Sequence, residues 1–226
     1  MYDKIYNIYD NLHSSKDYDK EVDFLVSLFG ENHKTILDVG CGTGTHSIKL
    51  SELGYDVVGI DPSNKMIDIA NSKVTSNNIK FHSCLINDYQ SEQFDVIISM
   101  FNVVNHILTL EDLSLYFESI SRLLKPSGVF IFDCFNQLAV IKDKPKIKER
   151  NGIKVIPKFD SFNSILIMEE HCDDYNYILK QKIWSPNILS EMVKQNNIKI
   201  NNIFKYHTHE SADEDDYKIT FFNTKN

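Results

Sequence analysis

Three places along this chain hold residues whose types and spacing can do chemistry. The first is the loop Asp38-Val39-Gly40-Cys41-Gly42-Thr43-Gly44-Thr45. Alternate glycines let a backbone turn sharply and come close to a ligand at the start of the following helix. Such loops also serve as plain turns. A dinucleotide fingerprint needs Gly-x-Gly-x-x-Gly, and here the third glycine comes one position early, followed by Thr45 and His46, so the spacing does not favour a pyrophosphate cradle. The second place is Ile60-Asp61-Pro62-Ser63. A carboxylate at the tip of a strand can accept both hydroxyls of a ribose, or can simply sit near a helix N-terminus where the dipole favours it. The third is His106, in Asn102-Val103-Val104-Asn105-His106-Ile107. An imidazole there can take a proton from an acceptor group, or can merely bond to backbone at a helix start.

The elements that must position these residues are read from periodicity. Thr35–Val39, Tyr55–Ile60, Ile79–Leu85, Phe94–Met100 and Val129–Phe135 read as strands. Helices come between them: His46–Leu53 closed by Gly54, one capped by Ser63 that contains Met66, and one opened by Thr109 with Asp112. Lys125-Pro126-Ser127-Gly128 ends the last of these. The alternation predicts an α/β fold with a parallel, doubly wound sheet and helices on both faces. Ligands bind such sheets beyond the strand carboxyl ends, where strand order reverses. The first thirty residues, with an apolar stripe and Tyr2, Tyr6, Tyr9 and Tyr18, fit one or two helices broken near His13–Ser15. Tyr6 and Tyr9 serve equally well as a lid or as packing.

The alternation stops after about Gln137, and Lys142–Arg150 reads as a solvated loop. Residues 150–184 form a small antiparallel β insertion over the cleft, with strands at Ile153–Phe159, Ser164–Glu170 and Tyr177–Trp184. A helix opened by Ser185-Pro186 and a hairpin of Ile198–His207 with Tyr217–Phe222 follow. The whole, 1–226, is expected to be one domain with a helical lid at 1–30.

Composition narrows the partners. The 24 basic and 32 acidic side chains leave a net charge of −8, which repels a phosphate backbone, so nucleic acid is not expected. No apolar run reaches the roughly 20 residues that span a bilayer, and the N-terminus lacks a secretory start, so a cytoplasmic protein with no membrane partner is expected. The four cysteines are scattered without metal spacing. His207, His209, Glu210 and Asp213–Asp216 are crowded into one stretch that reads as an acidic hairpin tip, and no metal is assigned. His46 reads as structural unless it meets a cofactor carboxylate, and Trp184 as core or cleft wall.

Ile36–Gly44 followed by Gly59-Ile60-Asp61-Pro62-Ser63 resembles the paired signature of class I S-adenosylmethionine-dependent methyltransferases, over about Tyr2–Phe135. The resemblance implies a Rossmann-like fold with a doubly wound, mostly parallel seven-stranded sheet, S-adenosyl-L-methionine as cofactor with S-adenosyl-L-homocysteine as product, and a small-molecule methyl acceptor. It assigns the methionine end of the cofactor to Asp38, Gly40, Cys41, Gly42, Thr43 and Gly44. Asp61, Pro62, Ser63 and Met66 fall at the ribose side, with Met100, Phe101, Tyr6 and Tyr9 around them. Family members often carry an acid near the end of strand three that holds adenine. This chain has Cys84-Leu85-Ile86 there, which leaves Leu85 and the Ile86 amide, or Asn87 or Asp88, for that contact. The tyrosine-rich start and Ser99-Met100-Phe101-Asn102 further resemble bacterial enzymes that N-methylate nucleotide-linked amino sugars. His106 is the candidate catalytic base, and the β insertion is a candidate acceptor wall and homodimer surface. An NAD-binding oxidoreductase and a non-catalytic cofactor-binding module are the competing readings.

Overall fold

The computed structural model describes residues 9–150, 153–172 and 175–226; Tyr2, Ile5 and Tyr6 lie outside them. Two helices, α1 (Tyr9–Leu12) and α2 (Tyr18–Ser27), precede the sheet and are separated at the expected break. The alternating part then runs β1 (Thr35–Val39), α3 (Thr45–Glu52), β2 (Asp56–Asp61), α4 (Asn64–Ser72), β3 (Ile79–Ser83), β4 (Phe94–Ser99), α5 (Leu110–Leu123) and β5 (Leu124–Phe135). After α6 (Gln137–Lys142) come β6 (Lys148–Arg150), β7 (Ile153–Asp160), β8 (Ile165–Cys172) and β9 (Tyr175–Lys182). The chain closes with α7 (Pro186–Gln195), β10 (Ile198–Lys205) and β11 (Lys218–Lys225).

Seven strands form one sheet in the order β10-β11-β5-β4-β1-β2-β3. The pairs from β5 to β3 are parallel, and β11 enters antiparallel to both β5 and β10. The order reverses between β1 and β4, so the loops that leave these strands open a crevice at the carboxyl edge.

Side-chain alternation explains why the central strands carry apolar residues on both faces, with Asp38, Asp95 and Asp133 as acidic exceptions nearer their ends. Leu37, Ile97, Phe130 and Phe132 face one core, which Leu113, Phe117 and Ile120 of α5 and Leu189 and Val193 of α7 close. Their neighbours Ile36, Val96, Ile98 and Ile131 face the other core, closed by Val22 and Leu25 of α2, Leu50 of α3 and Ile67 of α4. A strand covered on both faces loses the apolar–polar alternation of a half-exposed one. The antiparallel β11 is locked in by ring packing, with Phe221 stacked on Phe132 at 4.6 Å between centroids.

The helix starts follow local chemistry. Ser63, Thr109 and Ser185 each accept a backbone N–H three residues on, from Met66, Asp112 and Ile188. Elsewhere tertiary contacts override the pattern. β3 stops at Ser83, two residues short of the apolar run. β5 begins directly after α5, and Lys125–Gly128 bulges from it with Ser127 at φ +62° before pairing with β4 resumes at Val129. α6 and β6 were not foreseen, and the basic stretch read as a loop ends in strand β6. The second sheet therefore starts at Lys148 and has four strands, β6-β7-β8-β9. Among the described residues no helix is long and apolar enough to cross a membrane.

At the opposite edge of the main sheet, Asp95 joins the starts of β1 and β4. Its carboxylate accepts the N–H groups of Lys34 and Thr35 and the Thr35 hydroxyl, and pairs with Lys125 Nζ at 2.8 Å. Burial alone would raise its pKa, but Lys125 and the Thr35 and Lys34 bonds hold it well below the usual carboxylate range. Asp95→Asn is predicted to lower unfolding free energy by about 1.5–3 kcal/mol at neutral pH, the range for a charged hydrogen bond. A depressed pKa stabilises the fold fully above the unfolded value near ~4 and loses that contribution as pH falls through the folded value. Urea melts should therefore show the two proteins converging as the pH is lowered below about 4.

Candidate active site

The glycine loop between β1 and α3 is held by its own conformation. Gly40, Gly42 and Gly44 have φ of +73°, +56° and +79°, a region that side chains disfavour. A Cβ on Gly40 would meet Val103 at 2.5 Å, and one on Gly44 would meet Phe81 at 2.5 Å, so the loop is pressed on both sides. Gly42 differs, because a Cβ there meets nothing closer than Tyr9 at 4.0 Å. Its face opens on the crevice.

The loop is tied to the end of β2. Gly40 and Cys41 donate to the Ile60 carbonyl at 2.8 and 3.0 Å. Gly42 N–H donates to Asp61 Oδ2 at 3.1 Å, and Ser63 N–H to Asp61 Oδ1 at 2.9 Å. One backbone donor on each oxygen fixes the carboxylate plane. Asp38 is buried at the base of the loop, where burial raises its pKa, and it accepts the Ser47 hydroxyl at 2.6 Å. Burial also pushes the Cys41 thiol up, which keeps it protonated and unreactive. Thr43 is buried and donates to Asp10 of α1, whose other oxygen pairs with Lys73 at 2.7 Å.

The loop after β4 is strained in the same sense. Phe101 and Asn102 have φ of +70° and +61° without being glycines. Both donate their N–H groups to the fully buried carboxylate of Asp133 on β5, Phe101 at 3.0 Å and Asn102 more closely. A short 3₁₀ turn, Val103–His106, follows and carries the histidine.

Three cavities meet at these loops, and Tyr9 and Phe101 line all of them. One of about 30 Å³ includes Lys16, Asp38, Thr43 and His46 in its wall. One of about 110 Å³ is walled by Gly42, Asp61, Pro62, Met66, Met100 and His106, among others. The third, about 700 Å³, lies under the four-stranded sheet and includes His106, Asn102, Gln181 and Lys218. His106 thus borders both of the larger cavities. Burial lowers its pKa to about 4, so the ring is neutral at physiological pH, and the Gln181 amide nitrogen lies 3.2 Å from its Nε2.

Of the residues singled out from the sequence, the glycine loop, Asp38, Asp61, Pro62, Met66, Met100, Phe101, Tyr9 and His106 converge here. Ser63 works from below, capping α4 and fixing Asp61. Leu85 and Ile86 do not line these cavities. Leu85 is 55% exposed, and Ile86 is buried in the core cluster that α5 closes. Asn87 accepts the Ser119 hydroxyl. Trp184 is core, donating Nε1–H to the Ile107 carbonyl.

Sequence reasoning missed Asp133 and Glu21, and read His207 as part of an acidic hairpin tip. Glu21 of α2 is a buried hub: Oε2 meets Lys16 at 2.7 Å and His46 at 2.9 Å, while Oε1 meets His207 at 3.0 Å and accepts the Tyr206 hydroxyl at 3.3 Å. Burial pushes its pKa up, yet the His207 and His46 bonds and the Lys16 charge hold it far below the carboxylate range. His207 is therefore no part of a solvated tip. It is 7% exposed, and its other nitrogen lies 3.9 Å from Asp133. These partners are 5 to 186 positions apart in the chain, so no local pattern announces them. Among the described residues no cluster of three or more His, Cys, Asp or Glu is arranged to hold a metal.

Residues 36–128 match the Methyltransferase domain family. YqeM of Bacillus subtilis (strain 168), whose assignment as a methyltransferase is provisional, is 32% identical over 148 residues, which cover 64% of this chain and 60% of that protein. The ubiquinone biosynthesis O-methyltransferase of Bartonella tribocorum is 32% identical over 118 residues, 50% of this chain and 45% of its own. The chain thus spans about half to three-fifths of these curated relatives. Among solved structures, a Clostridium acetobutylicum S-adenosylmethionine-dependent methyltransferase superposes with a TM-score of 0.84 at 21% identity, covering 99% of this chain and 98% of its own. The sugar N-methyltransferase KedS8 from Streptoalloteichus gives 0.75 at 17%, covering 100% and 92%.

The Glu21 hub joins α2, α3, the β10–β11 connection and, through His207, β5. Breaking a buried ion pair by removing one partner costs about 3–5 kcal/mol because the other charge stays buried. Glu21→Gln should lower the unfolding free energy by that amount in urea melts followed by circular dichroism; a loss under 1 kcal/mol would mean the hub contributes no more than a surface pair.

Proposed function

Because residues 36–128 are a methyltransferase domain on a class I, Rossmann-like sheet, we propose that this chain transfers a methyl group from S-adenosylmethionine to nitrogen or oxygen of a small polar molecule. The observation that carries the proposal is Asp61, oriented by the Gly42 and Ser63 N–H groups beside the open face of Gly42 in the wall of the crevice. That geometry suits a ribose diol against the carboxylate. The neighbouring Asp38, with Lys16 and His46 in the same wall, suits the opposite charges of an amino-acid end. Met66, Met100 and Pro62 supply apolar surface between.

The sulfonium of the cofactor supplies an already activated methyl group, which leaves alignment and proton handling to the protein. His106 borders both the Asp61 cavity and the larger one, and its neutral imidazole can take a proton from an acceptor at their junction. The four-stranded sheet roofs the larger cavity and so serves as the acceptor wall. The two smaller cavities, about 30 and 110 Å³, fall below the roughly 300 Å³ of a cofactor site. Tyr9 lines both, and α1 is latched by Asp10 to Thr43 and Lys73, so α1 acts as a lid that moves to admit the cofactor. Nucleotide-linked amino sugars are the acceptors to test first. An amino pentose methyltransferase, CalS10, and KedS8 share the fold, with TM-scores of 0.71 and 0.75.

Calorimetric titration should find S-adenosylhomocysteine binding and NADH not binding; the reverse would sink the proposal in favour of an oxidoreductase. Asp61→Ala is expected to weaken S-adenosylhomocysteine by about 1.5–3 kcal/mol, the range for hydrogen bonds to a charge. Unchanged affinity would remove the ribose assignment. With an acceptor that does not itself titrate, the rate should be level from about pH 5 to 7, because the imidazole loses its basic form only towards pH 4. An acid limb near 6.5, or full turnover by His106→Ala, would rule out His106 as this base.

A further inference from the structure

Lys218 of β11 lines the large cavity at its cofactor end. Its ammonium lies 4.7 Å from the Tyr206 ring centroid, 5.0 Å from Phe101 and 5.3 Å from Phe135. Aromatic faces stabilise a cation but accept few of its three N–H donors. Among the described residues Lys218 Nζ has no hydrogen bond or ion pair. The nearby carboxylates are already engaged: Asp133 receives the Phe101 and Asn102 amides, and Glu21 receives Lys16 and two histidines. Of the other charges in the same cavity, Lys148 is exposed at the rim and the rest are partnered. Glu170 accepts the Tyr177 hydroxyl, Asp216 lies 4.0 Å from Lys205, and Lys146 pairs with Asp143 at the rim. Burial works against the charged form of Lys218, and the Asp133 field works for it.

Two buried acceptors in the same wall have no partner among the described residues, Asn102 Oδ1 (residue 5% exposed) and Gln181 Oε1 (3%). An orphaned buried acceptor costs free energy until a donor meets it. Away from the exposed rim, and among the described residues, the cavity therefore offers one cation without a counter-ion and two acceptors without donors, with the neutral His106 beside Gln181.

We infer that Lys218 binds an anionic group, a carboxylate or a phosphate, of a methyl acceptor whose hydroxyl or amine donors face Asn102 and Gln181. This rests on the methyl-transfer reading for the word acceptor, but the anion site itself does not. The anion lies beside Phe101, which also lines the cofactor cavities, and not at the exposed rim where Lys146 and Lys148 are. Acids should accordingly bind better than their esters or amides.

The test uses the full chain, titrated calorimetrically with benzoate and with inorganic pyrophosphate, each with and without saturating S-adenosylhomocysteine. At least one probe should bind, and which one does separates a carboxylate from a phosphate site. K218M should weaken that probe by about ten- to a hundred-fold, the loss of one charged hydrogen bond, while K148M at the rim should change it less than threefold. Failure of both probes to bind, equal binding by K218M, or the loss appearing in K148M instead would overturn the inference. If K218M does not fold, acetylation of Lys218 by acetic anhydride in the wild-type protein gives the answer: the bound probe should slow it, and an unchanged rate overturns the site. S-adenosylhomocysteine binding is read separately on the wild-type protein. Its absence would defeat the methyl-transfer reading while leaving the anion result standing.

Discussion

Tight loops at the carboxyl edge of a parallel sheet turn backbone N–H groups away from any strand partner, and a buried N–H must find an acceptor. Here two side-chain carboxylates meet that need. Asp61 receives Gly42 and Ser63, and Asp133 receives Phe101 and Asn102. The loops flank the reversal between β1 and β4, so the same two acids that satisfy the backbone also shape the crevice. Glycine absorbs the left-handed geometry in one loop. In the other, Phe101 adopts it against its own preference and Asn102, which tolerates it better, follows, both held there by Asp133.

The charge around this edge is nearly all internal. Glu21 gathers Lys16, His46, His207 and the Tyr206 hydroxyl, and His207 reaches towards Asp133. Buried ions gain stability only when every member is partnered. Lys218, at the border of this network, has no hydrogen-bond or ion-pair partner among the described residues, and its aromatic surround compensates only in part. That imbalance distinguishes the cavity from the structural hub beside it.

The cavity also depends on a layer that the central sheet does not supply. The strands from β6 to β9 roof it, and Gln181 on β9 reaches down to His106 on the turn after β4. Asn105 on that turn donates to the Lys182 carbonyl at 2.7 Å and accepts the Phe135 amide at 3.1 Å, which stitches the roof to the main sheet. A histidine that borders two cavities thus owes its place and its neutral state to a neighbouring layer.

Local physics made much of this legible in the sequence. Apolar runs bounded by glycine and capping residues marked the five alternating strands, and Ser63, Thr109 and Ser185 marked helix starts, because those bonds close within three residues. The glycine spacing and Asp61 marked the crevice, since backbone conformation at Gly40, Gly42 and Gly44 is a local property. Other features were settled by tertiary structure. α6 and β6 are too short for periodicity to reveal. Leu85 and Ile86 left the expected place because β3 ends at Ser83. Glu21, Asp133 and His207 came together, and Lys218 met its aromatic rings, through contacts between distant segments, which burial makes strong and sequence spacing cannot display.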